Sequence, residues 1–255
     1  MTNVGNIGAN ERPSVPRTAA IFGASGGIGA KLAAHLSTLG CERVYAGSRS
    51  GDVSGAGIVP FAFDLTDEAS IAEAARMMRA EPPEWVPEWV IVASGVLTLD
   101  DGKGPERTYK RLDPDVMAKV LAINTIGPAM IAKHMLPMMP RERAFTFAAL
   151  SARVGSISDN GLGGWHSYRA SKAALNMLIK NFAIEVGRTH SQGVIVGLHP
   201  GTVDTALSAP FQKGLAEGQL TDPLQAADNL VRVLASLTPE QSGRVFDFSG
   251  KEIPA

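Results

Sequence analysis

The sequence predicts a doubly wound α/β domain: a mostly parallel, seven-stranded sheet with helices on both faces. Three observations predict it. Short apolar runs such as TAAIF (18–22) and EWVIVAS (88–94) alternate with amphipathic stretches of helical period. The runs are continuously apolar rather than alternating, as strands are when helices cover both of their faces. No linker-like gap or solenoid repeat interrupts the pattern, so one domain over residues 18–255 accounts for it.

TAAIF forms the first strand, followed by a glycine-rich turn and a helix through AKLAAHLSTLG that Gly40 closes. RVYAGS (43–48) and IVPFAF (58–63) are the second and third strands. Thr66 caps a helix over DEASIAEAARMMRA, which has acids in its first turn and arginines near its end. EWVIVAS is the fourth strand, and one long helix runs from about Pro114 towards Leu136. The strand AFTFAAL (144–150) comes next, then a helix containing Tyr168 that ends near Val186. GVIVGLH (193–199) is the sixth strand, Asp222 or Thr221 caps PLQAADNLVRVLASL, and GRVFDFSG (243–250) closes the sheet.

Composition narrows the function. The chain has 255 residues, 45% of them hydrophobic, enough for one large core. A net charge of −1 gives no support for nucleic acid or an anionic membrane as partner. Cys41 is the only cysteine, which excludes an intrachain disulfide and fits a cytoplasmic, reducing setting. No apolar stretch reads as the roughly 20 residues a bilayer requires. Residues 1–17 lack the apolar centre of a signal peptide and read as a loose leader. The five histidines have no metal-ligand spacing, so no metal is expected.

In doubly wound sheets, ligands bind outside the carboxyl ends of the strands. After the first strand, Gly23, Gly27 and Gly29 form a turn in which backbone N–H groups can approach a pyrophosphate at a helix N-terminus. A tight strand-to-helix turn would use the same glycines. The second strand ends in Ser48 and Arg49 with no carboxylate before Asp52. A guanidinium there grips a 2′-phosphate, so NADP(H) is favoured and NAD(H) is the alternative; a solvated surface arginine is the plainer reading. Asp64, after the third strand, reads as an adenine contact or a helix cap. Ala93, Ser94 and Gly95, after the fourth, are small enough for backbone to pass a cofactor closely. Asn124 is a poor helix-interior residue and ties helix to loop or serves the site. Tyr168 and Lys172, four residues apart, share a helix face. A nearby ammonium favours the phenolate, and reaching a pKa near 7 needs about 4 kcal/mol.

These residues, with HPGTVDT (199–205), occur in an order that resembles the short-chain dehydrogenase/reductase family over residues 18 to about 250. LSARVGSI, YRASKAALN, HPGTVDT and FDFSGKEIP look like its carbonyl-reductase, Sniffer and C-factor-like branch. The resemblance implies a Rossmann fold and Tyr168 as general acid/base. It implies that Lys172 lowers the tyrosine pKa and holds the nicotinamide ribose, and that Asn124 anchors a water in a proton relay. It assigns cofactor contacts to Gly23, Ser25, Gly26, Ile28, Gly29, Ser48, Arg49, Asp64, Leu65, Ala93, Ser94 and Gly95. Pro200, Gly201, Val203 and Thr205 would flank the nicotinamide.

Two departures stand out. Ala93-Ser94-Gly95 replaces the family's Asn-Ala-Gly. Its catalytic serine starts a Ser-x-x-Gly unit, and counting back from Gly155 reaches Ala152; Ser151 is favoured for the role over Ser156. Trp165 or His166 would line the substrate pocket, and SAPFQKGLAEGQL (208–220) falls where the family has its lid. The resemblance thus implies a small carbonyl or alcohol substrate and a homodimer or homotetramer. The alternative is a cofactor-binding signalling protein of the C-factor type with little turnover.

Overall fold

The computed structural model describes residues 13–216 and 218–255; most of the expected leader, residues 1–12, lies outside them. Strands β1 (Thr18–Phe22), β2 (Arg43–Ser48), β3 (Ile58–Ala62), β4 (Trp89–Val92), β5 (Phe145–Leu150), β6 (Gly193–His199), β9 (Val245–Asp247) and β10 (Glu252–Ile253) form one sheet. Its order is β10-β9-β6-β5-β4-β1-β2-β3. The seven expected strands are parallel and the eighth, β10, pairs antiparallel with β9. That corrects the count of seven: β10 is two residues long and follows a tight turn, too short for an apolar pattern.

Helices α1 (Gly27–Leu39) and α6 (Pro223–Ser236) cover one face. On the other lie α2 (Glu68–Arg79), α3 (Pro114–Leu121), α4 (Gly127–Met135) and α5 (His166–Gly187). Along β1, Ala19 and Ile21 join the first core while Ala20 and Phe22 join the second. This two-sided burial explains why the strand is apolar throughout.

One expected helix cap differs from the sequence reading and one agrees with it. Thr66 donates its N–H and hydroxyl to Asp64, so Asp67 caps α2 instead, accepting from Ala69 N–H at 3.0 Å. Asp222 caps α6.

The long helix is interrupted. Residues Ala122–Ile126 form a π-helical turn between α3 and α4, with Gly127 N–H bonded to the Ala122 carbonyl five residues back. Proline at 128 has no N–H for the carbonyl of Asn124, its normal α-helical partner, so the ladder cannot continue unchanged. From Pro114 to Met138 the helical run spans 25 residues, and an 18-residue stretch within it reaches a mean hydropathy of 1.3. Its length and composition alone would allow it to cross a bilayer, which corrects the expectation that no stretch does. Scattered charges hide the run in the sequence, while Val116, Val120, Ile131 and Met135 are buried in the fold.

β1 lies between β2 and β4, so the chain leaves it in one direction and returns on the other side. That is the switch point, where the carboxyl ends of β1 and β4 open a crevice.

Candidate active site

Two adjoining cavities lie above the carboxyl ends of the strands. The larger, about 720 Å³, is lined by Gly23, Ser25, Gly26, Ile28, Ser48, Arg49, Asp64, Leu65, Ala93, Ser94, Gly95 and Thr205 among others. All of these were predicted cofactor contacts. Gly29 lies behind the turn: a Cβ there would meet the Gly23 carbonyl oxygen at 2.1 Å. Gly23 has φ 101°, and its own Cβ would meet Ser94 Oγ at 2.4 Å. Only glycine lets the turn lie this close to β4, and the result is a cradle shaped for a dinucleotide. At the tip of β2, Ser48 Oγ accepts from Gly51 N–H (2.9 Å), leaving Arg49 in the cavity wall while Asp52 is bonded to Ser50. Asp64 is held below the usual carboxylate range by the Thr66 N–H and hydroxyl bonds, with Arg49 adding to the effect.

The smaller cavity, about 430 Å³, shares Ser94, Gly95 and Thr205 with the first. It contains Tyr168, Lys172, Ser151, Ala152 and the predicted Pro200, Gly201 and Val203. Leu97, Leu150, Val154, Trp165, Phe211 and Leu215 make its wall largely apolar. His166 is absent from that wall, so of the predicted aromatic pair only Trp165 lines it. The segment expected to act as a lid is flanked by a two-stranded ladder, β7 (Thr202–Val203) with β8 (Leu220–Thr221). Its Phe211 packs on Trp165 with ring centroids 5.3 Å apart.

Lys172 is 4% exposed and donates from Nζ to the Leu150 carbonyl at 2.8 Å. Its Nζ lies 5.8 Å from the Tyr168 ring centroid. Burial pushes Tyr168 up to about 12 and Lys172 down to about 8. The sequence reading expected the lysine to bring the tyrosine down. In the chain alone desolvation by burial prevails. Gly155 permits this arrangement: a Cβ there would meet Lys172 Cβ at 2.8 Å.

Asn124 is fully buried and outside both cavities. Its amide accepts from Val96 N–H and donates to the Val96 carbonyl, each at 2.8 Å, and also donates to Ser171 Oγ at 3.1 Å. It therefore joins the loop after β4 to α5. Ser151 reaches the smaller cavity, but its hydroxyl proton is donated to Asn176 Oδ1 at 2.6 Å. Ser156 lies outside both cavities and accepts from Asp159 N–H. Among the described residues, no cluster of His, Cys, Asp or Glu could hold a metal.

A family model described as short chain dehydrogenase matches residues 17–216. The chain belongs to the short-chain dehydrogenase family. This dehydrogenase is 32% identical to 1-hydroxy-2-glutathionyl-2-methyl-3-butene dehydrogenase of Rhodococcus sp. (strain AD45), over 89% of its own chain and 94% of the relative. It is 36% identical to the C-signal of Myxococcus xanthus, over 54% of its own chain and 78% of that protein. Among solved structures, NADPH-bound carbonyl reductase from chicken fatty liver matches with TM-score 0.78 and 25% identity, covering 96% of each chain. Carbonyl reductase Sniffer of D. melanogaster shares the fold with TM-score 0.80 at 19% identity, over 94% of this chain and 99% of that one. The dehydrogenase is thus an oxidoreductase of the carbonyl-reductase and C-factor-like branch.

Three residues that sequence reasoning left out shape its site: Asn176, His199 and Glu106. Helix α5 is preceded by Trp165, a non-glycine residue at φ 52°, which supplies no side-chain cap. Its cap comes from 61 residues earlier in the chain. The buried Glu106 carboxylate accepts from Ser167 N–H at 3.0 Å and from the Ser167 hydroxyl. Burial raises the Glu106 pKa, but these bonds outweigh it and hold the carboxyl below its usual range. No local spacing signals such a partner. Glu106→Ala leaves the Ser167 N–H unpaired and is expected to cost about 1–3 kcal/mol. Because Tyr168 follows in the same turn, kcat should fall as well, and Glu106→Gln should recover part of both. Denaturant unfolding and steady-state kinetics on the two variants check this.

Proposed function

We propose that the protein is an NADP(H)-dependent oxidoreductase that interconverts a carbonyl and an alcohol by hydride transfer, with Tyr168 as general acid/base. The observation that carries this reading is that the apolar cavity holding Tyr168 and Lys172 adjoins the glycine-lined cradle and shares Ser94, Gly95 and Thr205 with it. The glycine turn, Asp64 and Ala93–Gly95 would hold the dinucleotide, and Arg49 its 2′-phosphate. When bound, the reduced nicotinamide supplies the hydride. Tyr168 gives its proton to the substrate oxygen, a role its raised pKa suits because the proton is present at neutral pH. Lys172 anchors the floor through Leu150, and Asn124 fixes the loop that borders both cavities. Two similar proteins are named for this class of reaction, one a dehydrogenase of a 1-hydroxy compound and the other an NADPH-bound carbonyl reductase.

The apolar wall favours aromatic or branched aldehydes and ketones over sugars. Reduction of such a panel, followed by NADPH consumption, tests the reading; no turnover with any member would sink it. Arg49→Ala should weaken NADPH binding by about 10–100-fold and leave NADH nearly unchanged, as expected for loss of charge-assisted bonds. Fluorescence titration with both cofactors checks this, and equal losses would remove Arg49 from the 2′-phosphate site. Ile126, Met177 and Ile184, each more than half exposed on the π-turn and α5, fit a homo-oligomer formed through these helices.

A second reading, a cofactor-binding signalling protein of the C-factor type, draws on the C-signal similarity and on the commitment of the Ser151 proton to Asn176. It predicts NADPH binding without consumption, and function that survives Tyr168→Phe.

A further inference from the structure

A carbonyl oxygen that gains charge in the transition state is stabilised by donors aimed at it, and Tyr168 provides one. The hydroxyls placed to provide a second are unsuited. Ala152, at the position set by the Ser-x-x-Gly spacing, has none. Ser151 donates to Asn176, and Ser156 lies outside the cavity lining. Ser94 donates to the Phe22 carbonyl at 3.2 Å, and Ser208 to that of Val203.

His199 differs from all of these. It ends β6 one residue past Leu198, the register partner of Leu150, and so lies alongside Ser151 in the substrate cavity. Neither ring nitrogen has a hydrogen-bond partner among the described residues, and Nδ1 is buried. Burial drives its pKa down to about 4; Asp247 opposes this, while Arg153 and Lys172 reinforce it. The ring is therefore neutral at physiological pH, with one N–H. A buried N–H left without a partner carries the full desolvation penalty of the group. The surroundings thus assign the lone pair to Nδ1 and the proton to Nε2.

We propose that His199 Nε2–H is the second donor to the substrate oxygen, in place of the hydroxyl absent at residue 152. The inference rests on the carbonyl–alcohol reading above and adds a catalytic residue to it.

The test combines steady-state reduction of a carbonyl from the panel, NADPH affinity, and ¹⁵N spectra of the imidazole. His199→Phe is expected to lose about 10²- to 10³-fold in kcat with NADPH affinity nearly unchanged. His199→Gln, which keeps a side-chain N–H donor, should recover about tenfold or more of that loss. Ser151→Ala should lose less than His199→Phe, and the wild-type spectrum should show the neutral Nε2–H form. The spectrum needs no variant to fold. A kcat for His199→Phe within about threefold of wild type, or an Nδ1–H ring, overturns the inference and leaves the carbonyl reading standing. Absence of NADPH consumption by the wild-type chain overturns both.

Discussion

Tyr168→Phe is expected to bind NADPH as the wild type does and to lose about 10²- to 10⁴-fold in kcat, the range that a positioned proton donor contributes. The substitution keeps the ring that packs against Trp165, with centroids 6.2 Å apart, and removes only the hydroxyl. The loss should therefore fall on kcat, with KM and unfolding midpoint nearly constant. Because burial holds the phenol pKa up at about 12, carbonyl reduction should show no break from Tyr168 near neutral pH. Alcohol oxidation needs the phenolate and should rise as pH rises. Substantial activity in Tyr168→Phe would remove this residue from the proton transfer.

The second large effect is at Lys172. Lys172→Met removes the bond to the Leu150 carbonyl and the ammonium 5.8 Å from the Tyr168 ring centroid, and kcat should fall by about 10²-fold or more. It should also change how stability depends on pH. Folding lowers the Lys172 pKa from 10.5 to about 8. Below the folded value both states hold the proton. Between the two values the unfolded chain holds it and the folded chain does not, so wild-type stability rises with pH in that window. The lowering corresponds to roughly 3 kcal/mol. Tyr168 is present in both proteins, so its own loss of stability, between its ordinary pKa of 10 and about 12, cancels in the difference. Denaturant unfolding across this window should show the wild type gaining what Lys172→Met does not; parallel curves would show that the buried lysine is not desolvated as the fold implies.

Much of the site is legible because it sits at strand ends. Gly23, Ser48, Arg49, Asp64 and Ala93–Gly95 each follow an apolar run directly, and a parallel sheet brings all such positions to one edge. Tyr168 and Lys172 are legible through helical spacing alone. The interruption at Asn124 is foreshadowed by Gly127 and Pro128, yet the π-turn appears only when the missing Pro128 N–H is traced back to its carbonyl. Glu106 could not be found this way, since its partner Ser167 lies 61 residues on and neither residue stands in a capping pattern.

By itself, the sequence determined the doubly wound architecture, the glycine-lined strand edge and the placement of Tyr168 and Lys172 one helical turn apart. Those rest on hydrophobic period, glycine geometry and spacing along one helix, which are local properties. The tertiary structure alone decided the direction of the Tyr168 pKa, the engagement of Ser151 by Asn176, and the place of His199 in the cavity wall. Each of these depends on desolvation or on a hydrogen bond between segments distant in the chain, and neither is encoded in the spacing of neighbouring residues.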